Sequence, residues 1–156
     1  MDLVQTLTTF SQDDLIWLFR PDQEALAQAV SAQCLIAGFI LGTHYPDGYL
    51  KPGLLVAKYD SGANDGKWGA YVEDDTVGEG LGTADGVILS GGRVRRDEFT
   101  GLAIATDTVC AVIPAGLALQ VIVANMPGLL LEDGTTANPV EVADLPTGFL
   151  AMDDYA

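Results

Sequence analysis

Basic residues are scarce. Seven Lys and Arg stand against 22 Asp and Glu, and the formal charge of -15 repels phosphate backbones, which argues against nucleic acid as a partner. Arg93, Arg95 and Arg96 stand together, but Asp97 and Glu98 follow at once, so a solvated, ion-paired turn is expected there rather than an anion site. Histidine occurs once, at His44, and a single imidazole with no serine or cysteine nucleophile close by in the sequence does not assemble a triad. The two cysteines, Cys34 and Cys110, each sit in an apolar run, QCLIAGF and TVCAVIP. Two buried free thiols and a reducing site of synthesis are the expectation, with a disulfide between them as the alternative. A chain of 156 residues can bury a core without such a staple. Long apolar runs are also missing. The longest, Cys34 to Leu41, is far short of the ~20 residues of a membrane-spanning helix. Met1 to Phe10 has no basic region and leads to no cleavage site. A soluble protein made in the cytoplasm, with no membrane partner, is expected.

The residues that could carry chemistry do not form a constellation. Gly78, Gly80 and Gly82 alternate, but a dinucleotide loop needs G-x-G-x-x-G, and Glu73, Asp74, Asp75 and Glu79 would oppose a phosphate. Asp60, Asn64 and Asp65 offer oxygens to a hard cation, as do Glu73, Asp74 and Asp75, yet neither set keeps the EF-hand register. Carboxylate pairs for sugar hydrolysis depend on a separation that sequence does not give. Trp17 and Trp68 are the aromatics able to line a glycan-binding face, although Trp68 in KWGAY is better read as packing beside Tyr71. No catalytic residue, cofactor or metal is therefore expected.

What is present is organised in two parts. Ser11 followed by Asp14 reads as a helix N-cap, and Leu15, Ile16, Leu18 and Phe19 supply an apolar stripe before Pro21 stops it. A second helix of about three turns opens at Asp22, with Ala25, Leu26, Ala29 and Val30 at helical spacing and Gln23, Glu24, Gln28 and Gln33 on the other face. These helices place a short helical N-terminal segment at residues 1–33. From residue 34 to 156 the texture changes to short β-like runs punctuated by glycine, aspartate and proline, the pattern of a small sandwich or barrel. Strands are predicted at Leu35 to Leu41, Leu54 to Tyr59, Ala70 to Val72, Gly86 to Leu89, Ala103 to Ala105, Thr108 to Ile113, Leu119 to Val123 and Leu129 to Leu131. Asp133 and Gly134 mark a looped excursion, after which Val140, Val142 and Leu145 return toward the core. Val72 to Asp85, rich in carboxylates and glycine, is expected to be an exposed, mobile loop.

One run of residues resembles a known family. Tyr45, Pro46, Asp47, Gly48 and Tyr49 form a turn, Pro52, Gly53 and Lys58 bracket an apolar strand, and Gly69 and Tyr71 close an aromatic G-x-Y. In order and spacing these residues are similar to the head decoration proteins of tailed bacteriophages. Gly86 to Ser90, Val109 to Ile113 and Ala143 to Leu150 extend the likeness, more loosely, over roughly the last two thirds of the chain. The acidic stretch Glu73 to Gly82 and the long segment before Thr43 depart from the pattern. The resemblance implies a mainly β, β-tulip-like decoration body with no enzymatic activity. It also implies a homotrimer that sits on the outer capsid surface of a virion and bridges copies of the major capsid protein. Leu3, Val4, Leu7 and Phe10 precede the first helix cap and have no evident place in the later β body. Together with Trp17 they are the candidate contacts, either with the capsid or between protomers. A surface module that recognises glycan or host protein through Trp68 and the Gly-rich loops is the alternative.

Overall fold

The computed structural model describes residues 15–45, 48–73, 75, 78–90, 93–94, 99–100, 107–130 and 137–152. Nine strands occur among them: β1 (Val30–Cys34), β2 (Leu55–Lys58), β3 (Trp68–Ala70), β4 (Gly86–Ser90), β5 (Thr108–Pro114), β6 (Gln120–Val121), β7 (Leu129–Leu130), β8 (Ala137–Asn138) and β9 (Leu150–Ala151). Five of them close into a barrel in the order β1-β3-β2-β4-β5, with β5 returning to pair with β1. The protein is thus mainly β, as expected.

The barrel's interior follows from alternation along each strand. Ala32 and Cys34 of β1, Val56 of β2, Trp68 and Ala70 of β3, Ile88 of β4, and Cys110 and Val112 of β5 belong to one buried cluster, joined by Ile36, Phe39, Tyr45, Leu50, Leu54 and Val94. The intervening residues Leu55, Val87 and Ile113 are buried as well, in a second cluster with Trp17, Leu119, Val121, Met126, Leu129 and Phe149. β2, β4 and the C-terminal half of β5 are therefore covered on both faces, which is why they read as continuous apolar runs rather than alternating ones. Two glycines make this packing possible. A Cβ on Gly86 would lie 2.6 Å from Val112 Cγ1, and one on Gly53, at φ +86°, would lie 2.8 Å from the Trp17 ring.

A small ribbon completes the second layer. Residues 17–19 run antiparallel to β6, with Ile122 N–H donating to the Trp17 carbonyl (2.7 Å) and Phe19 N–H to the Gln120 carbonyl (3.2 Å). On the other side β9 runs parallel to β6, with Met152 N–H donating to the Val121 carbonyl (2.8 Å). The side-chain amide of Gln23 mimics a further peptide unit. Its Oε1 accepts Gln120 N–H (2.7 Å) and its Nε2 donates to the Gln120 carbonyl (2.9 Å).

The N-terminal helices are corrected. Residues 15–19 of the first form a turn and then the extended ribbon just described, and residues 11–14 lie outside the described residues. The second is a 3-10 turn, Glu24–Gln28, that gives way to β1. Ala25 is buried and Leu26 and Ala29 pack against the second cluster, but one 3-10 turn is enough for that, whereas Val30–Cys34 gains a five-residue ladder with β5. β1 also runs across the division drawn at residues 33 and 34, so residues 30–33 belong to the barrel. The strand predicted at Leu35 to Leu41 is instead a 3-10 turn, Ile36–Gly38, followed by a single α-helical turn, Leu41–His44. A buried apolar run of this length does not declare its own period. Val140 is buried as predicted, but Val142 is exposed. The strand at Ala103 to Ala105 and the excursion at Asp133 and Gly134 lie outside the described residues.

Candidate binding surfaces

The ionisable groups are tied into the fold. His44 is 1% exposed, its Nδ1 accepts the Ile40 N–H (3.0 Å) and its ring meets Phe39 edge-on at 5.6 Å. Burial, with a smaller push from the Lys51 charge, lowers its pKa to about 4, so the imidazole is neutral at physiological pH. It anchors the helical turn that precedes Tyr45. Cys34 and Cys110 are free thiols directed into the barrel from β1 and β5. The hydrogen bond with Cys110, followed by burial, pushes the Cys34 thiol far above its usual range, which removes it as a nucleophile at neutral pH.

Asp107 forms a polar clasp at the β1–β3 seam. Its Oδ2 receives Lys67 Nζ at 2.8 Å and Gln33 Nε2 at 2.8 Å, joining the residue before β3, the residue before β5 and a residue of β1. The Lys67 hydrogen bond, aided by Gln33, holds the Asp107 carboxyl below the usual carboxylate range. Trp68 is only 6% exposed within β3, and Lys58 Nζ lies 5.2 Å from its ring centroid. Its indole is core, not a platform for a sugar. Tyr71 packs in the second cluster and its hydroxyl donates to Asp144 Oδ1 (3.3 Å), while Asp144 Oδ2 accepts Glu141 N–H (2.8 Å).

Among its described residues the acidic segment makes local bonds and packs on the body. Asp75 accepts the backbone N–H groups of Gly78, Glu79 and Leu81, and Leu81 packs with Ala57 and Tyr59 in a third cluster. Burial, then the charges of Glu79 and Asp75, raise the Tyr59 pKa. Among the described residues no three His, Cys, Asp or Glu side chains gather as a metal site would require. No helix among them is long and apolar enough to cross a membrane.

Large hydrophobic residues also remain on the surface: Leu15, Ile16, Val30, Tyr49, Val109, Val142 and Leu150 are exposed. Of the contacts predicted from sequence, Leu3, Val4, Leu7 and Phe10 lie outside the described residues. Trp17 is 1% exposed and belongs to the second cluster, so within this chain it is a core residue. The chain that carries the other four joins the body at Leu15 and Ile16, both exposed. Sequence reasoning did not find Val30 and Val109, because their exposure follows from pairing between distant strands.

No protein-family model matches this chain, and neither the curated proteins nor the solved structures hold a match.

Proposed function

We propose that this chain is a structural, non-enzymatic module of a phage virion that binds the outer surface of the capsid, self-associates as a homotrimer and bridges major capsid subunits. Its body would be a decoration barrel of the β-tulip type, made in the host cytoplasm and assembled onto the shell. The observation that carries the reading is the pairing of a Tyr45-to-Tyr71 pattern like that of decoration proteins with a body whose ionisable groups hold the fold together. His44, Asp75, Asp107 and Asp144 each bond to the protein's own backbone or side chains. The apolar surface it leaves exposed includes Leu15 and Ile16, which lead to Leu3, Val4, Leu7 and Phe10. Repeated on a lattice, a modest contact of this kind gains strength from many identical copies. The charge of -15 keeps trimers from associating with one another away from the shell.

The test is imaging of virions for density at the three-fold positions, with mass spectrometry of the shell to identify this chain. Deletion of Met1 to Phe10 is expected to abolish occupancy while the chain still folds. Full occupancy without those residues refutes the arm, and a shell lacking the chain refutes the whole reading. The glycan alternative gains no support, since the tryptophan it depends on is buried.

A further inference from the structure

β1 is paired on one side only. Its five residues form a continuous ladder with β5, from Val30↔Val112 to Cys34↔Thr108. On the opposite side β3 meets it at one register position, Cys34↔Trp68, where Leu35 N–H donates to the Trp68 carbonyl at 2.8 Å. The parallel register carries β3 away from β1, so no described strand pairs with residues 30–33 along that edge. Backbone alternation turns the peptide groups of Ser31 and Gln33 toward the same side as Leu35 N–H. Natural edges are blunted by charge, proline or a bulge, and Val30, Ser31, Ala32 and Gln33 offer none of these. At the start of that edge Val30 is 43% exposed.

Resting on the proposed self-association, we infer that this edge accepts residues 3–10 of a second copy as an added strand. The segment is LVQTLTTF: it has no charge, glycine or proline, and its valine, threonines and phenylalanine favour strand. In a chain of charge -15, an uncharged strand and an uncharged edge are where two copies can approach without repulsion. A four-residue connection, the length between this segment and Leu15 where the described body begins, can span at most roughly 14 Å, a reach compatible with delivery to a neighbour. Strand addition supplies backbone hydrogen bonds, and a side chain of the added strand covers Val30.

The experiment uses full-length chains and light-scattering mass. Thr6→Pro disables the donor segment, and Ser31→Pro removes the edge N–H of the acceptor. Each variant alone is expected to lose the oligomer and run at monomer mass, while an equimolar mixture recovers a two-chain species, because one chain keeps a working segment and the other a working edge. Amide exchange at Ser31, slow in the wild-type oligomer and fast in Thr6→Pro, reports the edge should Ser31→Pro fail to fold. An unchanged oligomer in Thr6→Pro, two monomeric variants that do not complement, or a monomeric wild type overturns the inference. A complementing oligomer that leaves virions undecorated upholds it and refutes only the capsid role.

Discussion

The two sides of β1 differ more than any other pair of neighbouring edges in the barrel. Toward β5 the contact is a five-residue antiparallel ladder, whereas toward β3 it is one parallel pair reinforced by side chains. On the first side closure is a property of the backbone, and a side chain matters mainly for what it buries. On the second, Lys67, Asp107 and Gln33 supply what the short β3 cannot. A closed barrel can therefore have one seam written in secondary structure and another written in tertiary contacts, with different sensitivities to mutation and pH.

The largest way to break the contrast is Ala32→Pro, which removes an N–H directed at β5 and drives a ring into the barrel. A loss of about 3 kcal/mol or more is expected by denaturant unfolding, and a smaller loss would show that the ladder is not what closes this side. Acid comes next and acts on the turn that follows the weak seam. His44 titrates near 6.5 when unfolded and at about 4 when folded, so its contribution is complete above pH 6.5 and is lost as pH falls from 6.5 to 4. The shift corresponds to about 3 kcal/mol at most, and His44→Gln should flatten this part of the stability profile. Lys67→Met should cost up to about 1 kcal/mol, since the pair is partly exposed, while speeding amide exchange at Leu35. That exchange, rather than the small stability change, separates a clasp from a decorative ion pair. Ser31→Pro, one residue from the most damaging substitution, should change the stability of the isolated chain by only about 0.5 kcal/mol, since proline is tolerated at an unpaired edge. Equal effects of the two proline variants would mean that β1 is paired on both sides.

The same contrast explains what could be read from the residues alone. β2, β4 and β5 were legible because each is an apolar run bounded by Gly, Pro or Asp, with both faces buried along β2, most of β4 and the C-terminal half of β5. β1 was not. Ala25, Leu26, Ala29 and Val30 keep a helical spacing, and what overrides it is a partner strand far along the chain. Leu35 to Leu41 failed for a related reason: Gly38 lies under the Tyr59 hydroxyl, which would stand 2.6 Å from any Cβ there, a contact no local pattern announces. Of the candidate surface, Leu3, Val4, Leu7 and Phe10 lie outside the described residues. Trp17 looked available beside them because its burial depends on Gly53 and on the second layer. The clasp was invisible, since Gln33, Lys67 and Asp107 come from three separated stretches of chain.

The ribbon around β6 has a mechanical consequence. Trp17 and Met152 both dock at the Val121–Ile122 end of that strand, one on each side of it. A pull that separates them is borne by a few backbone bonds loaded one after another. The ribbon should peel like a zip at low force while the five-stranded ring stays out of the load path, so tension on the flanking segments of a tethered copy would be absorbed before it reached the body.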